Sequence, residues 1–290
     1  MRQNCRMSAQ QVTPELRQWI AAQTSTGQTP EVVLKAMLAS GWDEAVAMGA
    51  LESTLNSLLL PAQAQASDLP PPVAVPDPLL TDGVVSLRAA DREVQVLTTL
   101  RHPRVVVFGG LLSHDECDEM MALARPRLSR SETVQVDTGG SEINQARTSA
   151  GMFFGREENP LCARIEARIA TLLNWPLQNG EGLQVLHYHP GAEYKPHYDY
   201  FDPEHSGTPS ILQRGGQRVA TIVMYLNTPK RGGGTTFPDV HLEVGPVKGN
   251  AVFFSYDRAH PATRTLHGGA PVLEGEKWVA TKWLRERRFD

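Results

Sequence analysis

The first sixty residues place apolar side chains at helical spacing between signals that start and stop helices. Pro14 and Pro30 each follow a threonine, which is typical of an N-cap followed by proline at the first helical position. Gly41 is a suitable stop for the second helix, and a third helix is predicted from about Asp43. This pattern predicts a small helical module over residues 1–60.

The next segment, residues 61–82, is rich in proline and lacks periodicity, which predicts an extended linker. Residues 83–290 then open with a mixed pattern, in which one β-branched run precedes two predicted helices. Ser113-x-x-Glu116 is a capping box that predicts the start of the first of these helices. The second is predicted to start at Asn159, which is followed by proline.

After about residue 180, short runs of β-branched and aromatic residues alternate with turns rich in glycine and proline. Closely spaced strands of this kind predict a sandwich or jelly roll, with the preceding helices packed on one sheet face. The predicted fold class is therefore α+β, a double-stranded β-helix (jelly roll) core with supporting helices and a small N-terminal helical module. The main strand-like runs are LQVLHYH, RVATIVMYL, NAVFFSY and KWVATKWL.

Composition narrows the classes of function. The net charge is −4 and no long run of Lys or Arg is present, which argues against a nucleic-acid surface and a polybasic membrane anchor. The three cysteines are widely spaced without a CxxC pair, which disfavours a disulfide scaffold or structural zinc. A polar N-terminus and the lack of a long apolar stretch disfavour a signal peptide and a membrane span. We therefore predict a cytoplasmic protein.

His197-Tyr198-Asp199 follows a predicted strand, and residues two apart in an extended chain point to the same side. An imidazole and a carboxylate placed side by side, joined by a second histidine, form the 2-His-1-carboxylate triad of non-haem Fe(II) oxygenases, which leaves coordination positions open. His267 is the best candidate for that second histidine, with His260 as its main rival.

Lys277 lies ten residues after His267, at the start of the last predicted strand. A dicarboxylate such as 2-oxoglutarate chelates a metal through its 2-oxo acid end, and its far carboxylate needs a cation. Lysine on a strand offers a charge-assisted hydrogen bond for that carboxylate. Taken alone, Lys277 would be better explained as a residue of a solvated strand edge.

These residues belong to longer stretches of sequence that resemble a known family. The stretches LQVLHYHPGAEYKPHYDYF, GGQRVATIVMYLN, GGGTTFP, VGPVKGNAVFFSY and LHGGAPVLEGEKWVATKW, with the upstream RTSAGMFF, resemble the prolyl 4-hydroxylase family. The match covers roughly residues 100–287. Order, spacing and flanking motifs agree, whereas the N-terminal module is not part of the shared catalytic core.

The resemblance implies an oxidoreductase, a dioxygenase that uses iron, 2-oxoglutarate and O2, with L-ascorbic acid as a reductant. The triad would bind the metal and Lys277 the distal carboxylate of 2-oxoglutarate. Tyr188 matches a tyrosine whose hydroxyl lies near the cosubstrate. Tyr225 is a weaker candidate for the same pocket and fits a core aromatic equally well. Trp278 and Trp283 are predicted to be packing residues.

The same resemblance implies that a prolyl residue of a peptide or protein is hydroxylated, at C4, with release of succinate and CO2. Arg147 falls in the motif associated with the peptide groove, although a surface salt bridge is an equal alternative. A groove lined by tyrosines, Tyr194 among them, would suit an extended proline-rich chain. The N-terminal module would dock a partner or merely pack on the main domain.

Three alternatives stay open at this point. The same chemistry would serve a free amino acid or another side chain. A second alternative is a jelly-roll binding module that has lost turnover. The presence of His197, Asp199, His267 and Lys277 argues against it. A zinc hydrolase built on the same ligands would leave Lys277 without a role.

Overall fold

In a computed structural model of the chain, the structure describes residues 10, 12–25, 28–67, 69–81, 83–130, 133–134, 141–142 and 148–290. The chain divides into two compact units, Met1–Leu69 and Pro70–Asp290. No helix in these ranges is both long enough and apolar enough to cross a bilayer.

The described residues of the first unit form three helices. Thr29 and Pro30 occupy the cap and first positions of the second helix, and Gly41 adopts φ +89° after that helix ends. A small core lies between the helices and includes Ile20, Val33 and Met37. The helices are α1 (Pro14–Ser25), α2 (Pro30–Ala39) and α3 (Glu44–Ser67).

The linker segment differs from the extended chain predicted over residues 61–82. Helix α3 continues to Ser67, because its last residues alternate alanine and glutamine, both of which favour helix. The later prolines belong to the second unit, where Pro76 and Pro78 are buried. The Val73 N–H donates to the carbonyl of Asp257 at 2.8 Å, which holds this segment along the unit.

Antiparallel strands outnumber helices among the described residues of the second unit. The helices are α4 (His114–Ala124), α5 (Pro160–Leu172) and α6 (Thr208–Leu212). The strands are β1 (Ser86–Ala89), β2 (Arg92–Leu100), β3 (Arg104–Gly109), β4 (Ser129–Arg130), β5 (Thr133–Val134), β6 (Ser141–Glu142), β7 (Ala150–Phe154), β8 (Leu183–Tyr188), β9 (Tyr194–His197), β10 (Arg218–Tyr225), β11 (Arg231–Gly232), β12 (Thr235–Phe237), β13 (Leu242–Val244), β14 (Ala251–Ser255), β15 (His267–Gly269), β16 (Val272–Glu274) and β17 (Lys277–Arg285).

Two sheets form the layers of the second unit. The major sheet has nine strands in the order β1-β2-β3-β14-β10-β17-β8-β7-β4, and the minor sheet has four in the order β13-β12-β15-β9. Two further pairs, β11-β16 and β5-β6, complete the described strands. The mixture of helices with a large antiparallel sheet confirms the predicted α+β jelly-roll class.

Each face of the major sheet has its own core. One face packs against α4 and α5 through residues such as Met120 and Ile165. The other faces the minor sheet, with Phe237 among its members. Side chains alternate along β17, so Trp278 faces the helices whereas Val279 faces the minor sheet. We call the two sides of the major sheet the helix side and the cavity side.

The predicted local signals agree with the observed helix starts of this unit. Ser113 and Glu116 form both hydrogen bonds of a capping box at the start of α4. At α5, Asn159 accepts a hydrogen bond from the Cys162 N–H, and proline occupies the first turn. The four predicted strand runs correspond to β8, β10, β14 and β17.

Candidate metal centre and its cavity

The minor sheet brings three candidate ligands together. His197 ends β9 and His267 begins β15, and the two residues lie directly opposite each other in the antiparallel ladder. Asp199 follows His197 by two residues. One ligand atom from each of the three residues lies within 4.8 Å of the others. Among the described residues this is the one group of three or more metal-ligand side chains so placed.

The carboxylate of Asp199 lies between the two imidazoles. Its Oδ1 is 3.5 Å from His197 Nε2, and its Oδ2 is 3.3 Å from His267 Nε2. The other ring nitrogens face backbone carbonyls: His197 Nδ1 is 2.9 Å from the Lys195 oxygen, and His267 Nδ1 is 2.9 Å from the Thr265 oxygen. A carbonyl can only accept, so each Nδ1 donates and leaves Nε2 as a lone-pair donor towards the centre.

The electrostatics of the group suit a bound cation. Burial lowers the pKa of His197, and the neighbouring His267 lowers it further. Burial alone would raise the pKa of Asp199, but the two histidines hold it well below its ordinary value. Neutral imidazole and ionised carboxylate are the forms that bind metals. Two imidazole nitrogens and one carboxylate on one side of a point are the donor set that suits non-haem Fe(II).

Aromatic rings fix the orientation of both histidines. The Tyr194 ring stacks on His197, with 3.8 Å between centroids, and the Phe254 ring lies 4.4 Å from His267. Asp199 and His267 are only 7% and 5% exposed, so a bound ion would be shielded from water on those sides.

A cavity runs from this group towards Lys277, which is 4% exposed. Burial lowers the pKa of Lys277 to about 8, against the opposing influence of the Glu243 charge. Its Nζ lies 5.4 Å from the centroid of the Tyr188 ring, and the two residues are paired across β8 and β17. No ion pair among the described residues includes Lys277. A candidate metal-ligand group and a buried lysine in one cavity are the features that would suit a dicarboxylate which also chelates a metal.

Gly233 keeps space for the lysine stem. Its φ is +76°, and a Cβ at this position would lie 3.2 Å from Lys277 Cδ. A larger residue would therefore be strained in its backbone and crowded against the lysine at the same time.

Tyr225 lies behind the cavity wall. It is fully buried, and its hydroxyl donates to Thr235 Oγ1 at 2.8 Å. The wall itself is formed there by Thr235. Because Thr235 accepts from Tyr225, its own proton is free to point elsewhere. Sequence reasoning missed Thr235, whose only signal was its place in the motif GGGTTFP.

Trp283 does more than pack in the core, contrary to the prediction. It lines the cavity, and its indole N–H is buried without a hydrogen-bond partner among the described residues. Trp283 lies six residues after Lys277 on β17, so both point to the cavity side. Trp278, one residue after Lys277, points to the helix side as predicted.

The remaining candidates are placed as follows. Arg147, predicted for the peptide groove, lies outside the described residues. His187, a further histidine on β8, points to the helix side, where its Nε2 is 2.7 Å from Glu276 Oε2. His260, the rival ligand, instead accepts a hydrogen bond from the Ala262 N–H at 3.0 Å through Nδ1 and caps a short turn.

Comparisons with known proteins agree with this geometry. Residues 183–285 match the profile of the 2OG-Fe(II) oxygenase superfamily. The chain is 43% identical over 203 residues to prolyl 4-hydroxylase 1 of Arabidopsis thaliana, which covers 64% of this chain and 70% of the relative. It is 38% identical over 211 residues to prolyl 4-hydroxylase 2 of the same plant, over 65% and 69% of the two chains.

Solved structures give a fainter likeness. The viral collagen prolyl hydroxylase of Paramecium bursaria Chlorella virus-1, solved as a 2OG complex, superimposes with a TM-score of 0.49 at 28% identity. That alignment covers 62% of this chain and 95% of the viral one.

Proposed function

Since the chain belongs to the prolyl 4-hydroxylase family and is a 2-oxoglutarate-dependent dioxygenase, we propose that it hydroxylates a prolyl residue, at C4, in a peptide or protein. One observation carries the proposal: a two-histidine, one-carboxylate group and a buried lysine share a single cavity. We assign this activity to the domain of residues 83–290.

Within this proposal, His197, Asp199 and His267 hold Fe(II). The hydrogen bonds of both Nδ1 atoms support the role, because they direct each Nε2 to the centre before any ion arrives. Bound iron supplies the activation of O2 with 2-oxoglutarate that amino-acid side chains lack. The chain's own contribution is to orient the ligands and limit the access of water.

Lys277 binds the distal carboxylate of 2-oxoglutarate in this proposal. Burial strengthens the interaction between its ammonium and an incoming carboxylate. Tyr188 and Thr235 line the same end of the cavity and offer hydroxyl groups. Tyr225 assists through Thr235, whose orientation it fixes, rather than by touching the cosubstrate.

The substrate enters on the side of Tyr194. This tyrosine is half-buried, lines the cavity and stacks on His197. A flat ring beside a metal ligand suits the rigid ring and extended backbone of a proline-containing peptide. Arg147 remains a predicted contact to the peptide. Ascorbate is proposed as the reductant that keeps the iron in its ferrous state.

Two further proposals concern context. A cytoplasmic location is supported by Cys117 and Cys162, which are buried free thiols. Partner docking by the N-terminal helices is supported by the exposed apolar side chains of Trp19, Val32 and Met48.

Mass spectrometry tests the main proposal. Purified protein is incubated with Fe(II), 2-oxoglutarate, ascorbate and proline-containing peptides, with free proline in parallel. We expect peptides to gain one oxygen, with one succinate formed per oxygen and with 4-hydroxyproline after hydrolysis. Oxygen incorporation into free proline alone would reject a peptide substrate. Peptide modification with zinc and without 2-oxoglutarate would reject the dioxygenase.

A further inference from the structure

We propose that Thr221 is a positioning residue that fixes the carboxylate of Asp199 for the metal ion, and that Tyr256 fixes Thr221 in turn. This inference rests on the proposed metal site and deepens it. Thr221 Oγ1 lies 2.7 Å from Asp199 Oδ2 and 3.0 Å from the Tyr256 hydroxyl oxygen. All three side chains are buried.

Counting protons fixes the direction of both hydrogen bonds. The carboxylate oxygens of Asp199 accept, so the Thr221 hydroxyl donates to Oδ2. Thr221 has a single proton and spends it on Asp199, so it can only accept from Tyr256. The phenolic hydroxyl of Tyr256 therefore donates across the 3.0 Å contact. The chain therefore runs from Tyr256 to Thr221 to Asp199.

This hydrogen bond holds one of the two carboxylate oxygens in place. Thr221 engages Oδ2, which lies 3.3 Å from His267 Nε2, and so fixes the plane of the carboxylate with Oδ1 beside His197 Nε2. A carboxylate rotates freely about its last bond unless one oxygen is held. Thr221 thus reduces the entropic cost of fixing the Asp199 carboxylate when the metal ion binds.

The support for Asp199 comes from a different layer than the support for the histidines. Each histidine is held by a carbonyl of its own chain segment, two residues away. Thr221 belongs to β10 of the major sheet, and Tyr256 directly follows β14 beside it. This contact therefore links the major sheet to the ligand that follows β9 of the minor sheet.

The apolar surroundings of Thr221 also support a role for its hydroxyl. It is fully buried between Trp283 and Phe254, its partners across β17 and β14. A hydroxyl placed in such an apolar row is unfavourable unless it is hydrogen-bonded. Valine would fit the same space without that requirement.

Binding of Mn(II) to the metal-free full-length protein tests the inference by calorimetry. Mn(II) accepts the same nitrogen and oxygen ligands and stays divalent in air. Thr221→Val keeps the shape and removes the hydroxyl, and we expect about 10- to 100-fold weaker binding, as for other outer contacts of metal ligands. Thr221→Ser keeps the hydroxyl and should restore affinity to within about threefold of wild type.

Two more variants keep the test decisive. Tyr256→Phe leaves the Thr221 contact intact but unsupported, and we expect a loss of about two- to fivefold. Thr208→Val removes a buried hydroxyl outside the cavity wall, one that donates to the Asp202 carbonyl at 2.6 Å, and Mn(II) affinity should not change. Thermal unfolding without metal shows which variants are folded, and should Thr221→Val unfold, Thr221→Ser and Tyr256→Phe carry the test.

The outcomes separate this inference from the metal site itself. Wild-type affinity in Thr221→Val would overturn the positioning role, and so would equal losses in Thr221→Ser or Thr208→Val. Wild-type affinity in Asp199→Ala would instead overturn the metal site on which the inference rests. In folded Tyr256→Phe protein, affinity equal to wild type would remove Tyr256 from the chain.

Discussion

Two buried lysines on β17 have opposite surroundings. Lys277 and Lys282 are five residues apart, so they point to opposite sides of the major sheet. On the helix side, Lys282 pairs with Glu166 of α5, and both are almost fully buried. Glu166 also accepts the N–H of Glu157 at 2.6 Å. On the cavity side, Lys277 is just as buried but has no ion-pair partner among the described residues.

The contrast extends to the neighbours of each lysine. On the helix side, Arg168 is buried and bonded to Glu116 and Asp91. On the cavity side, the three candidate metal ligands point to a common centre. A buried charge without a partner is unfavourable. We interpret the buried lysine that lacks an ion-pair partner as part of the site, where a ligand would supply the opposite charge, and the paired lysine as part of the scaffold.

The largest expected effect comes from breaking the cavity side at its metal centre. Asp199→Ala removes the only carboxylate of the ligand group, and we expect turnover to fall by at least about 10³-fold, since the metal supplies the oxidative chemistry. Succinate formation measures this loss. Asp202→Ala, which removes a half-exposed carboxylate three residues away, is the matched control and should keep turnover within about twofold. Equal losses in both variants would contradict the assignment.

Breaking the helix side should instead cost stability. Lys282→Met leaves Glu166 charged and buried without its partner, and we expect the free energy of unfolding to fall by about 3–5 kcal/mol. Urea denaturation measures this change, and the KM for 2-oxoglutarate of the folded protein should stay the same. Adding Glu166→Gln removes the stranded charge while keeping an acceptor for Glu157, so the double variant should recover part of the loss. A raised KM for 2-oxoglutarate in Lys282→Met would contradict the assignment of cosubstrate binding to the cavity side alone.

The sequence predicted the scaffold well because its signals are local. The strands β8, β10, β14 and β17 are runs of β-branched and aromatic residues, and α4 and α5 begin with capping side chains. The short strands around the site carry no such signal. β9 is YKPH and β15 is HGG, and they become strands through pairing: β9 with β15, and β15 also with β12.

Within the site, spacing and the family resemblance together indicated the candidate ligands and Lys277, but not the residues that support them. Thr221 and Tyr225 are an even number of residues apart on β10, so they lie on the same face of the strand. Alternation along the strand was therefore enough to place Thr221 on the cavity side. Nothing in the sequence shows that it meets Asp199, since that contact joins two sheets. Trp283 was missed although its even separation from Lys277 placed both on one side.

Removing the lone charge of the cavity side sharpens the contrast with Lys282. We expect Lys277→Met to raise the KM for 2-oxoglutarate about 100-fold, or roughly 2.7 kcal/mol, because a buried charge-assisted hydrogen bond is lost. The free energy of unfolding should not fall, since no ion pair of the described residues is broken. Steady-state kinetics and urea denaturation of the same preparation give both quantities. A destabilised Lys277→Met with unchanged KM would reverse the roles of the two lysines.

The pH dependence of cosubstrate binding offers a gentler test of the same charge. The pKa of Lys277 in the ligand-free protein is about 8. Below that pH the ammonium is present and affinity for 2-oxoglutarate should be flat. Above it the free protein loses the proton, so affinity should fall by up to about tenfold per pH unit. Calorimetry with Mn(II)-loaded protein, from about pH 7 to about pH 9, measures this slope. Lys277→Arg keeps its charge throughout, and an equal slope in that variant would assign the titration elsewhere.

The smallest expected effect concerns a hydroxyl one step behind the cavity wall. Tyr225→Phe removes the hydrogen bond to Thr235 while keeping the buried ring. Thr235 then has no donor to fix its orientation, so its proton is no longer directed at the cosubstrate. We expect the KM for 2-oxoglutarate to rise about two- to tenfold, in line with roughly 0.5–1.5 kcal/mol for a neutral hydrogen bond, with kcat nearly unchanged. Thr235→Val should produce a similar rise, and the double variant should be no worse than Thr235→Val alone, because both substitutions interrupt one path. Additive losses would show instead that Tyr225 acts on the cosubstrate independently of Thr235.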